Sequence, residues 1–391
     1  MGDNIITSYT QTQAEAYILD ISEVLDLIRK TDIKLLGQIS IGGVATQKKH
    51  SWLKDEMDYE KVQATNDAAG ALVIGETTLT LNLAARHDLR LRVGSIIKDK
   101  AVGKDESLMV TNIETVSPYT ITVAVWPGGG AAGQDHAQAA DYRIISSPIK
   151  EGASPTDSAA AARTMASNYI QLFERGISIT DETKNLKMRA VSDEEKYQIE
   201  KKTWSLKREL GFAVLYGKQH EPASVDEYGT LGGILEFLSA AGSLVSDAGG
   251  AELTEKMIND RAQAIADEGG TPDIIVVGTK QARLMSTFSE KYIRTQSTQT
   301  VLGHYVDTFL TDTGLRLPII IEDELDTEYA MLLTKGMAKI VPFNNEAWSL
   351  YVWPRTKYAQ TTTMKGAYTF ELRNADKCHA LIKNLAEPEL S

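Results

Sequence analysis

One stretch of the sequence decides the fold, and it reads Val191-Ser-Asp-Glu-Glu-Lys-Tyr-Gln-Ile-Glu-Lys-Lys-Thr-Trp-Ser-Leu-Lys-Arg-Glu-Leu-Gly-Phe-Ala-Val-Leu-Tyr-Gly217. Ser192 and Glu195 have the spacing of a capping box, in which each side chain binds a free backbone N–H at the start of a helix. Gly217 suits the C-terminal cap because glycine adopts the left-handed conformation without a Cβ clash. The stretch therefore predicts one helix over residues 192–217, about 36 Å long.

The two halves of this helix differ in hydrophobicity. The first half is charged and carries Tyr197 and Trp204 as an apolar stripe. Residues 210–216, the last two turns, are apolar nearly all round, and such a surface is expected to be buried. The helix is therefore predicted to be half exposed and half buried, which is typical of a strut in an extended molecule.

Composition limits the class of protein. The 391 residues, of which 42% are hydrophobic, are enough for roughly two or three domains. The net charge of −12 disfavours specific nucleic-acid binding, which normally needs a basic patch. Cys378 is the single cysteine, so an internal disulfide is excluded. No apolar run reaches the roughly 18 residues of a membrane span, and no signal peptide is found, so a soluble cytoplasmic protein is expected.

Residues 70–147 differ from both flanks, because short β-rich runs alternate there with turn residues. The runs lie at residues 77–81, 92–97, 108–113, 120–126 and 142–145. Such spacing predicts a small all-β barrel or sandwich that is inserted into the chain. On either side, residues 48–57 are predicted to be extended and residues 168–180 to return as a strand antiparallel to them.

The part of the chain after the long helix predicts an α/β layer. Thr254 is placed to cap a helix that ends at Glu268, and residues 273–277 form the continuous apolar run of a buried central strand. Two more buried strands are predicted at residues 317–321 and 330–333. The last predicted strands span residues 348–353, 368–373 and 380–382. They are expected to pack on the apolar end of the long helix.

Motifs that would supply chemistry are weak. Residues 128–133 match G-x-G-x-x-G, but Pro127 ends the strand before them and no helix follows, so a glycine-rich hairpin tip is favoured over a dinucleotide site. The six histidines include no pair at i, i+4, so a zinc site is not supported. Residues 322–326 contain four carboxylates, which are more often solvated than bound to calcium. No enzyme activity, cofactor or metal is therefore expected.

The order of these parts resembles the tailed-phage major capsid proteins of the HK97-like (Hong Kong ninety-seven-like) fold. That family has an arm, an extended hairpin called the E-loop, a long spine helix, an α/β A-domain and long closing strands in a P-domain. Residues 168–183 resemble its descending E-loop strand, and the run from residues 231–234 to residues 272–278 resembles its A-domain. Residues 316–321 and 368–385, with the motif at 371–374, resemble the strands that close the A- and P-domains. The likeness covers nearly the whole chain, and the order of the motifs is its most specific feature.

Within this family the chain resembles the SU10-like subgroup, in which a β-domain is inserted in the E-loop. Residues 120–123, 128–130 and 135–137 look like the strand, the glycine-rich tip and the alanine–histidine segment of that domain. Trp126-Pro127-Gly128 replaces the usual arginine–glycine pair before the tip.

The resemblance implies an α+β fold with five parts. They are the N-terminal arm (1–45), the E-loop strands (46–69 and 148–185), the inserted β-domain (70–147), the P-domain (186–225 and 346–391, with the spine helix at 192–217) and the A-domain (226–345). In such a shell the arm and the E-loop reach over neighbouring subunits, while the A-domain gathers subunits about an axis.

The same resemblance implies the function of a major capsid protein. The chain would assemble with itself into hexamers and pentamers that form the icosahedral or prolate head of a tailed double-stranded-DNA phage and enclose its genome. The implied partners are a scaffolding protein, a portal and a decoration protein, with packaged DNA in non-specific proximity and no membrane. The implied location is the virion capsid, after assembly in the cytoplasm of the bacterial host.

An encapsulin, a bacterial shell protein of the same fold, is the alternative. Its E-loop is not expected to carry a β-domain like residues 70–147, which favours the phage protein. A metal-dependent hydrolase would need clustered ligands, and a tail or adhesin protein would not need the long helix.

Eight residues are expected to stabilise the subunit or its assembly, namely Trp52, Phe173, Ser192, Glu195, Trp204, Gly217, Gly232 and Gly233. Trp204 is expected to fix the long helix to the sheet or to the E-loop beneath it. Gly232 and Gly233 are candidates for a joint that bends differently in hexamers and pentamers, and an ordinary turn is the competing interpretation.

Overall fold

A computed structural model describes residues 33–54, 61–63, 72–80, 91–114, 120–137, 140–152, 163–185, 193–224, 226–242, 244–288, 293–294, 308–344, 347–355 and 358–388. The chain forms two compact units. We call Met1–Trp52 together with Ala166–Ser391 the main unit, and Leu53–Met165 the second unit. Most of the predicted arm, residues 1–32, lies outside the described residues.

The secondary-structure elements are numbered in chain order. The strands are β1 (Ser40–Ile41), β2 (Lys49–Lys54), β3 (Lys61–Gln63), β4 (Thr78–Thr80), β5 (Ile96–Asp99), β6 (Ser107–Ile113), β7 (Thr120–Trp126), β8 (Asp141–Ser146), β9 (Thr164–Tyr169), β10 (Gln171–Thr180), β11 (Val245–Asp247), β12 (Ile274–Val277), β13 (Ile293–Arg294), β14 (Thr308–Leu310), β15 (Arg316–Ile321), β16 (Ala330–Leu333), β17 (Ala338–Pro342), β18 (Ser349–Val352), β19 (Ala359–Leu372) and β20 (Ala380–Lys383). The helices are α1 (Asp181–Asn185), α2 (Glu194–Tyr216), α3 (Ile234–Ala241), α4 (Glu255–Asp267) and α5 (Thr279–Met285).

The predicted long helix is present as α2, but its N-cap differs from the prediction. The cap is Asp193, whose carboxylate accepts a hydrogen bond from the backbone N–H of Lys196 at 3.2 Å. This bond lowers the pKa of Asp193. The N-cap is therefore Asp193, and Ser192, the predicted cap, lies outside the described residues. The N-cap lies one position after the predicted Ser192, because Asp193 has the extended backbone of an N-cap.

The C-terminal cap of α2 is Gly217, as predicted, but its conformation differs from the predicted one. Gly217 has φ −54° and ψ 145°, so it is not left-handed. A Cβ at this position would lie 2.3 Å from the carbonyl oxygen of Ala213 and 2.5 Å from that of Leu231. Glycine is needed here because two backbone segments approach closely, and not because of its conformational freedom.

The buried face of α2 follows the four-residue spacing of Leu206, Leu210 and Val214. Trp204 precedes Leu206 by two residues, which places it on another side of the helix. It is half-buried and is not among the described residues that form the core of the main unit. That Trp204 fixes the helix to the sheet or to the E-loop stays a prediction.

A five-stranded sheet surrounds the long strand β19. The whole of β10 pairs antiparallel with β19, from Gln171 opposite Tyr368 to Thr180 opposite Ala359. β17 and β18 pair with β19 on its other side, and β1 adds parallel to β17. The predicted pairing of residues 168–180 with residues 48–57 is thus wrong for most of its length, because β2 pairs with β9 instead.

A seven-stranded sheet has the order β11-β20-β16-β12-β15-β14-β13. The strands predicted at residues 273–277, 317–321 and 330–333 are confirmed as β12, β15 and β16. Ile274 and Val276 face one core cluster, while Ile275 and Val277 face another. This burial on both faces explains the continuous apolar run of β12.

Two further elements complete this layer. Thr254 caps α4, as predicted, by accepting a hydrogen bond from the N–H of Met257 at 3.3 Å. β20 lies in the seven-stranded sheet, whereas the sequence analysis predicts that its residues belong to the P-domain. β17 lies in the five-stranded sheet, whereas its residues are predicted to belong to the A-domain. The two sheets therefore exchange strands across the predicted boundary at residue 346.

The second unit contains a six-stranded sheet in the order β3-β8-β5-β6-β7-β4, with antiparallel pairs. Its core contains fully buried side chains such as Leu72, Ile97, Leu108 and Tyr142. The runs predicted as strands all contribute, and the unit extends beyond the predicted residues 70–147 because β3 pairs with β8.

The glycine-rich segment after β7 forms a turn, but the turn does not join two strands that pair with each other. β7 pairs with β6 and β4, whereas β8 pairs with β5 and β3. The loop returns over the sheet, where Gly75 N–H donates to the carbonyl of Ala132 at 2.8 Å and His136 forms a bridge with Leu72. The predicted glycine-rich tip is present as a turn, since Gly129 N–H donates to Val125 O at 2.8 Å and Val125 N–H donates to Gly130 O at 3.1 Å, but the next strand, β8, does not pair with β7.

Candidate assembly surfaces

The end of α2 meets the start of α3 at three glycines, which we call the glycine junction (Gly217, Gly232 and Gly233). The N–H of Gly233 donates to the carbonyl of Gly217 at 2.8 Å. A Cβ at Gly233 would lie 2.8 Å from Ala213 O, Gly217 N and Val214 O. Gly232 and Gly233 are both buried. Their environment therefore favours close packing over the hinge that the sequence analysis considered.

Asn168, at the end of β9, ties this junction to the five-stranded sheet. Its Nδ2 donates to the carbonyls of Gly232 at 3.0 Å and of Phe370 at 2.7 Å. Its Oδ1 accepts from the N–H of Gly232 at 2.7 Å. Asn168 is fully buried, and its amide is satisfied by these backbone groups. Sequence reasoning did not single it out, although it opens the segment that resembles the E-loop strand.

Trp52 and Phe173, two of the predicted residues, are core residues. Trp52 is buried, and its ring lies 6.0 Å from that of Phe237, edge to face. Phe173 is buried, with its ring 6.1 Å from that of Trp348. Both residues therefore stabilise the subunit and present little surface to another copy.

Glu195 links the first turn of α2 to the segment before it. Its carboxylate lies 2.6 Å from the ammonium of Lys184, and both side chains are about three-tenths exposed. Oε1 also lies 3.5 Å from Thr362 Oγ1 on β19. Glu195 thus contacts Lys184 and β19, while its predicted capping-box partner, Ser192, lies outside the described residues.

The acidic residues at 322–326 are not simply solvated. Glu322 is buried and accepts a hydrogen bond from the N–H of Leu35 at 3.0 Å, and burial raises its pKa. Glu324 pairs with Arg208 of α2, and the Tyr216 hydroxyl donates to the carbonyl of Glu324 at 2.9 Å. Within the described ranges, no group of three or more metal-ligating side chains is found.

One edge of the five-stranded sheet carries an exposed apolar strip, which we call the β18 strip. Its members are Leu350, Tyr351, Val352, Trp353 and Tyr358. The first four are 46–54% exposed and Tyr358 is 92% exposed. The rings of Tyr351 and Trp353 meet edge to face at 5.0 Å. Large exposed apolar patches are often interaction sites, so the β18 strip is a candidate contact surface.

The backbone of β18 is also available for pairing. β18 binds β19 along one edge, from Ser349 opposite Lys365 to Val352 opposite Thr362. In the part of the chain that the structure describes, no strand pairs with its other edge. An uncovered edge strand is a template for pairing with another chain. None of the described helices is long and apolar enough to cross a membrane.

The main unit thus carries an edge strand with exposed apolar side chains, and such an edge can pair with another chain. A family model described as SU10 major capsid protein matches residues 5–386. The chain belongs to this family. It is a tailed-phage major capsid protein, and copies of it assemble into the capsid of the virion. The match favours this function over the encapsulin alternative. No curated protein sequence matches the chain.

Solved structures confirm the predicted capsid fold. The capsid of an empty GTA particle, computed with C5 symmetry, is 9% identical, with a TM-score of 0.52, and the match covers 98% of this chain and 100% of that one. A structure from Mycobacterium phage Bobi is 10% identical, with a TM-score of 0.50 and coverage of 95% and 96%. A structure from Gordonia phage Cozz is 10% identical, with a TM-score of 0.50 and coverage of 96% and 93%. At these identities the likeness is one of fold.

Proposed function

We propose that this chain forms hexamers and pentamers, that these close into a phage head around double-stranded DNA, and that the β18 strip is a principal contact between copies. The observation that carries the proposal is the uncovered apolar edge of β18. Edge pairing would supply main-chain hydrogen bonds, and the aromatic pair would supply the apolar centre of the contact.

The predicted parts fit this proposal once three strands, β10, β17 and β20, are reassigned to the sheets in which they lie. We assign α2 as the spine helix of the P-domain, the seven-stranded sheet as the A-domain and the second unit as the extended E-loop with its β-domain. β10 belongs with the P-domain sheet, because all of β10 pairs with residues 359–368 of β19. The glycine junction, Trp52, Phe173 and Glu195 then act within the subunit, holding the spine helix in place.

The remaining partners follow from the same role. A scaffolding protein, a portal and a decoration protein are proposed, with assembly in the cytoplasm of the host. The net charge of −12 limits adhesion of the shell to the packaged DNA, since like charges repel. The subunit acts by association and without catalysis.

The experiment compares two exposed valines. Val352→Lys places a charge in the β18 strip, and Val102→Lys makes the same change at a fully exposed position in the second unit. Mass photometry and electron microscopy should show pentamers, hexamers or shells for the wild type and for Val102→Lys. Val352→Lys should remain largely monomeric, with the melting temperature of the monomer unchanged, because a buried lysine opposes the contact.

Two results would contradict this proposal in different ways. If Val352→Lys assembles as the wild type does, the β18 strip is not a contact between copies. A wild-type protein that stays monomeric at high concentration, with scaffold supplied, would contradict the assembly itself.

A further inference from the structure

The backbone of β18 presents its hydrogen-bonding groups to the outside at two residues. The N–H of Trp353 donates to the carbonyl of Thr361 on β19 at 2.9 Å. Residues of an antiparallel ladder alternate between hydrogen-bonded and non-hydrogen-bonded pairs. The backbone groups of residues 349, 351 and 353 therefore face β19, in the register in which Ser349 is opposite Lys365. Those of Leu350 and Val352 point away from β19, toward the uncovered edge.

The residues on either side of this edge limit how another strand can pair with it. Pro354 follows the strip and has no backbone N–H to donate. On the other side, the N–H of Trp348 donates to the hydroxyl of Tyr368 at 2.9 Å. A strand that pairs with β18 is therefore held by the backbone groups of Leu350 and Val352, and this fixes its register.

The side chains of this edge do not oppose pairing. Edge strands that avoid pairing with another chain carry lysines, prolines or bulges. Residues 349–353 contain no charged side chain and no proline. The chain as a whole has a net charge of −12, so two copies repel each other over most of their surface. An uncharged strip with exposed apolar side chains is a place where they can meet without that repulsion.

The edge is also complementary to itself. When two β18 strands lie antiparallel, Leu350 of each copy can lie opposite Val352 of the other. Both of these pairs are then of the hydrogen-bonded type, in which each N–H donates to the carbonyl of the opposite residue. Tyr351 lies opposite Tyr351 of the second copy, at the centre of the pair. All the outward backbone groups of the two edges are used in this single register.

We propose that the β18 strip pairs with the β18 strip of a second copy of this chain, about a two-fold axis at Tyr351. The proposal rests on the proposed function and names the surface that the strip binds. Such a contact is isologous, because both copies use the same residues. It joins the five-stranded sheets of the two copies into one continuous sheet, with the aromatic side chains of both strips on the same face.

A cation and an aromatic ring are brought together in this register. Ser349 lies between them, since it is opposite Lys365 on β19 and opposite Trp353 of the second copy. The side chain of Lys365 is exposed, with Glu174 opposite it on β10. The small side chain of Ser349 leaves room for the Lys365 ammonium to approach the face of the indole ring, which attracts cations. The contact thus occurs twice about the two-fold axis and favours this register over a shifted one.

The first test measures the register with single cysteines. Tyr351→Cys places two thiols in a non-hydrogen-bonded pair, in which the Cα atoms are about 4.5 Å apart, a separation that a disulfide can span. Mild oxidation of assembled particles should give a disulfide-linked dimer on a non-reducing gel, with the bond located at position 351 of both chains by mass spectrometry. The wild type is the background control, because its single cysteine, Cys378, is buried.

Ser349→Cys is the matched control on the same face of β18. In the proposed register the two positions 349 are four residues apart along the paired strands, about 13 Å, which is too far for a disulfide. This variant should therefore remain a single chain on the gel. Particles that contain both Ser349→Cys and Trp353→Cys chains should give the mixed dimer, because these positions are opposite. Equal dimer yields from Ser349→Cys alone and Tyr351→Cys would overturn the proposal.

The second test removes an outward N–H without adding a charge. The N–H of Val352 points away from β19, so Val352→Pro keeps the hydrogen bonds within the subunit. The melting temperature of the unassembled protein should stay near that of the wild type. The protein concentration needed for assembly should rise about tenfold, because each pair of copies loses a main-chain hydrogen bond on both sides of the axis. Val352→Ile retains the N–H and should assemble as the wild type does. Equal assembly of the two variants would contradict the edge pairing.

The outcomes separate this contact from the proposed function. A wild type that does not assemble contradicts both. If the wild type assembles and Val352→Lys does not, but Tyr351→Cys gives no bond between two positions 351, the strip binds another surface and only the two-fold pairing is wrong. If the introduced thiol of Tyr351→Cys resists alkylation in the unassembled protein, a segment of the same chain, such as residues 1–32, covers the edge and the proposal is overturned.

Discussion

The glycine junction of the main unit and the glycine-rich loop of the second unit use the same residue type for different physical reasons. Gly217 and Gly233 have φ values of −54° and −94°, which any residue can adopt, but neither has room for a Cβ. Gly128, Gly129 and Gly130 have φ values of 136°, 74° and 111°, with open space where a Cβ would lie. The junction needs glycine for its small volume, whereas the loop needs it for its backbone conformation.

This difference separates two kinds of energetic cost. A side chain added at the junction must displace backbone atoms of α2, and a packed interior has little room to relax. A side chain added in the loop meets solvent and is opposed only by local backbone strain. The consequences of one Gly→Ala change should therefore differ severalfold between the two regions.

The largest effect is expected for Gly233→Ala. Three backbone atoms lie 2.8 Å from the new methyl group, so α2 and α3 must separate, at a cost of about 3 kcal/mol or more in the free energy of unfolding. Urea denaturation of the unassembled protein measures this loss, together with the yield of soluble protein. A loss below about 1 kcal/mol would show that the junction relaxes and that its glycines are ordinary turn residues.

A smaller effect is expected for Asn168→Asp at the same junction. The substitution keeps the shape but removes the N–H donors that satisfy the carbonyls of Gly232 and Phe370. Unfolding should become easier by about 2–3 kcal/mol at neutral pH. Protonation of the introduced carboxyl group at low pH restores one donor, so the deficit relative to the wild type should shrink as the pH falls.

Asn112→Asp is the matched control, because Asn112 is exposed on β6 of the second unit. It should leave the urea midpoint nearly unchanged. Equal losses for the two substitutions would mean that the hydrogen bonds of Asn168 do not hold the junction.

The smallest effect is expected for Gly129→Ala in the loop. Its φ of 74° lies in the left-handed region, where an L-residue costs about 1–2 kcal/mol. The change should lower the melting temperature of the second unit slightly and leave the main unit unaffected. A loss as large as that of Gly233→Ala would remove the distinction between the two kinds of glycine.

Much of the fold could be predicted from local patterns. The apolar run at β12 and the Thr254 cap of α4 are confirmed, since both depend on neighbouring residues. The resemblance to capsid proteins correctly gave the α+β class and the family. The sequence predicts a cap at Gly217, but it does not show why glycine is needed there. A left-handed cap and a close backbone contact both appear in the sequence as a single glycine.

The candidate surfaces could be predicted less well. Trp204 is a large apolar residue and is expected to hold α2 in place. The buried face of α2, however, contains Leu206, Leu210 and Val214, which pack in the core of the main unit. The sequence predicts that the apolar residues of the β18 strip form a strand that packs on the long helix α2. Whether such a strand is covered depends on which strand pairs with its second edge, and composition does not specify that.

The sequence by itself determined where helices and strands form, because helix caps, turn residues and hydrophobic period are properties of consecutive residues. Tertiary structure alone decided that β10 pairs with β19, that Asn168 joins Gly232 and Phe370, and that Gly233 has no room for a methyl group. Asn168 and Phe370 are separated by 202 residues. Contacts of that range depend on how whole layers pack, and no local pattern encodes them.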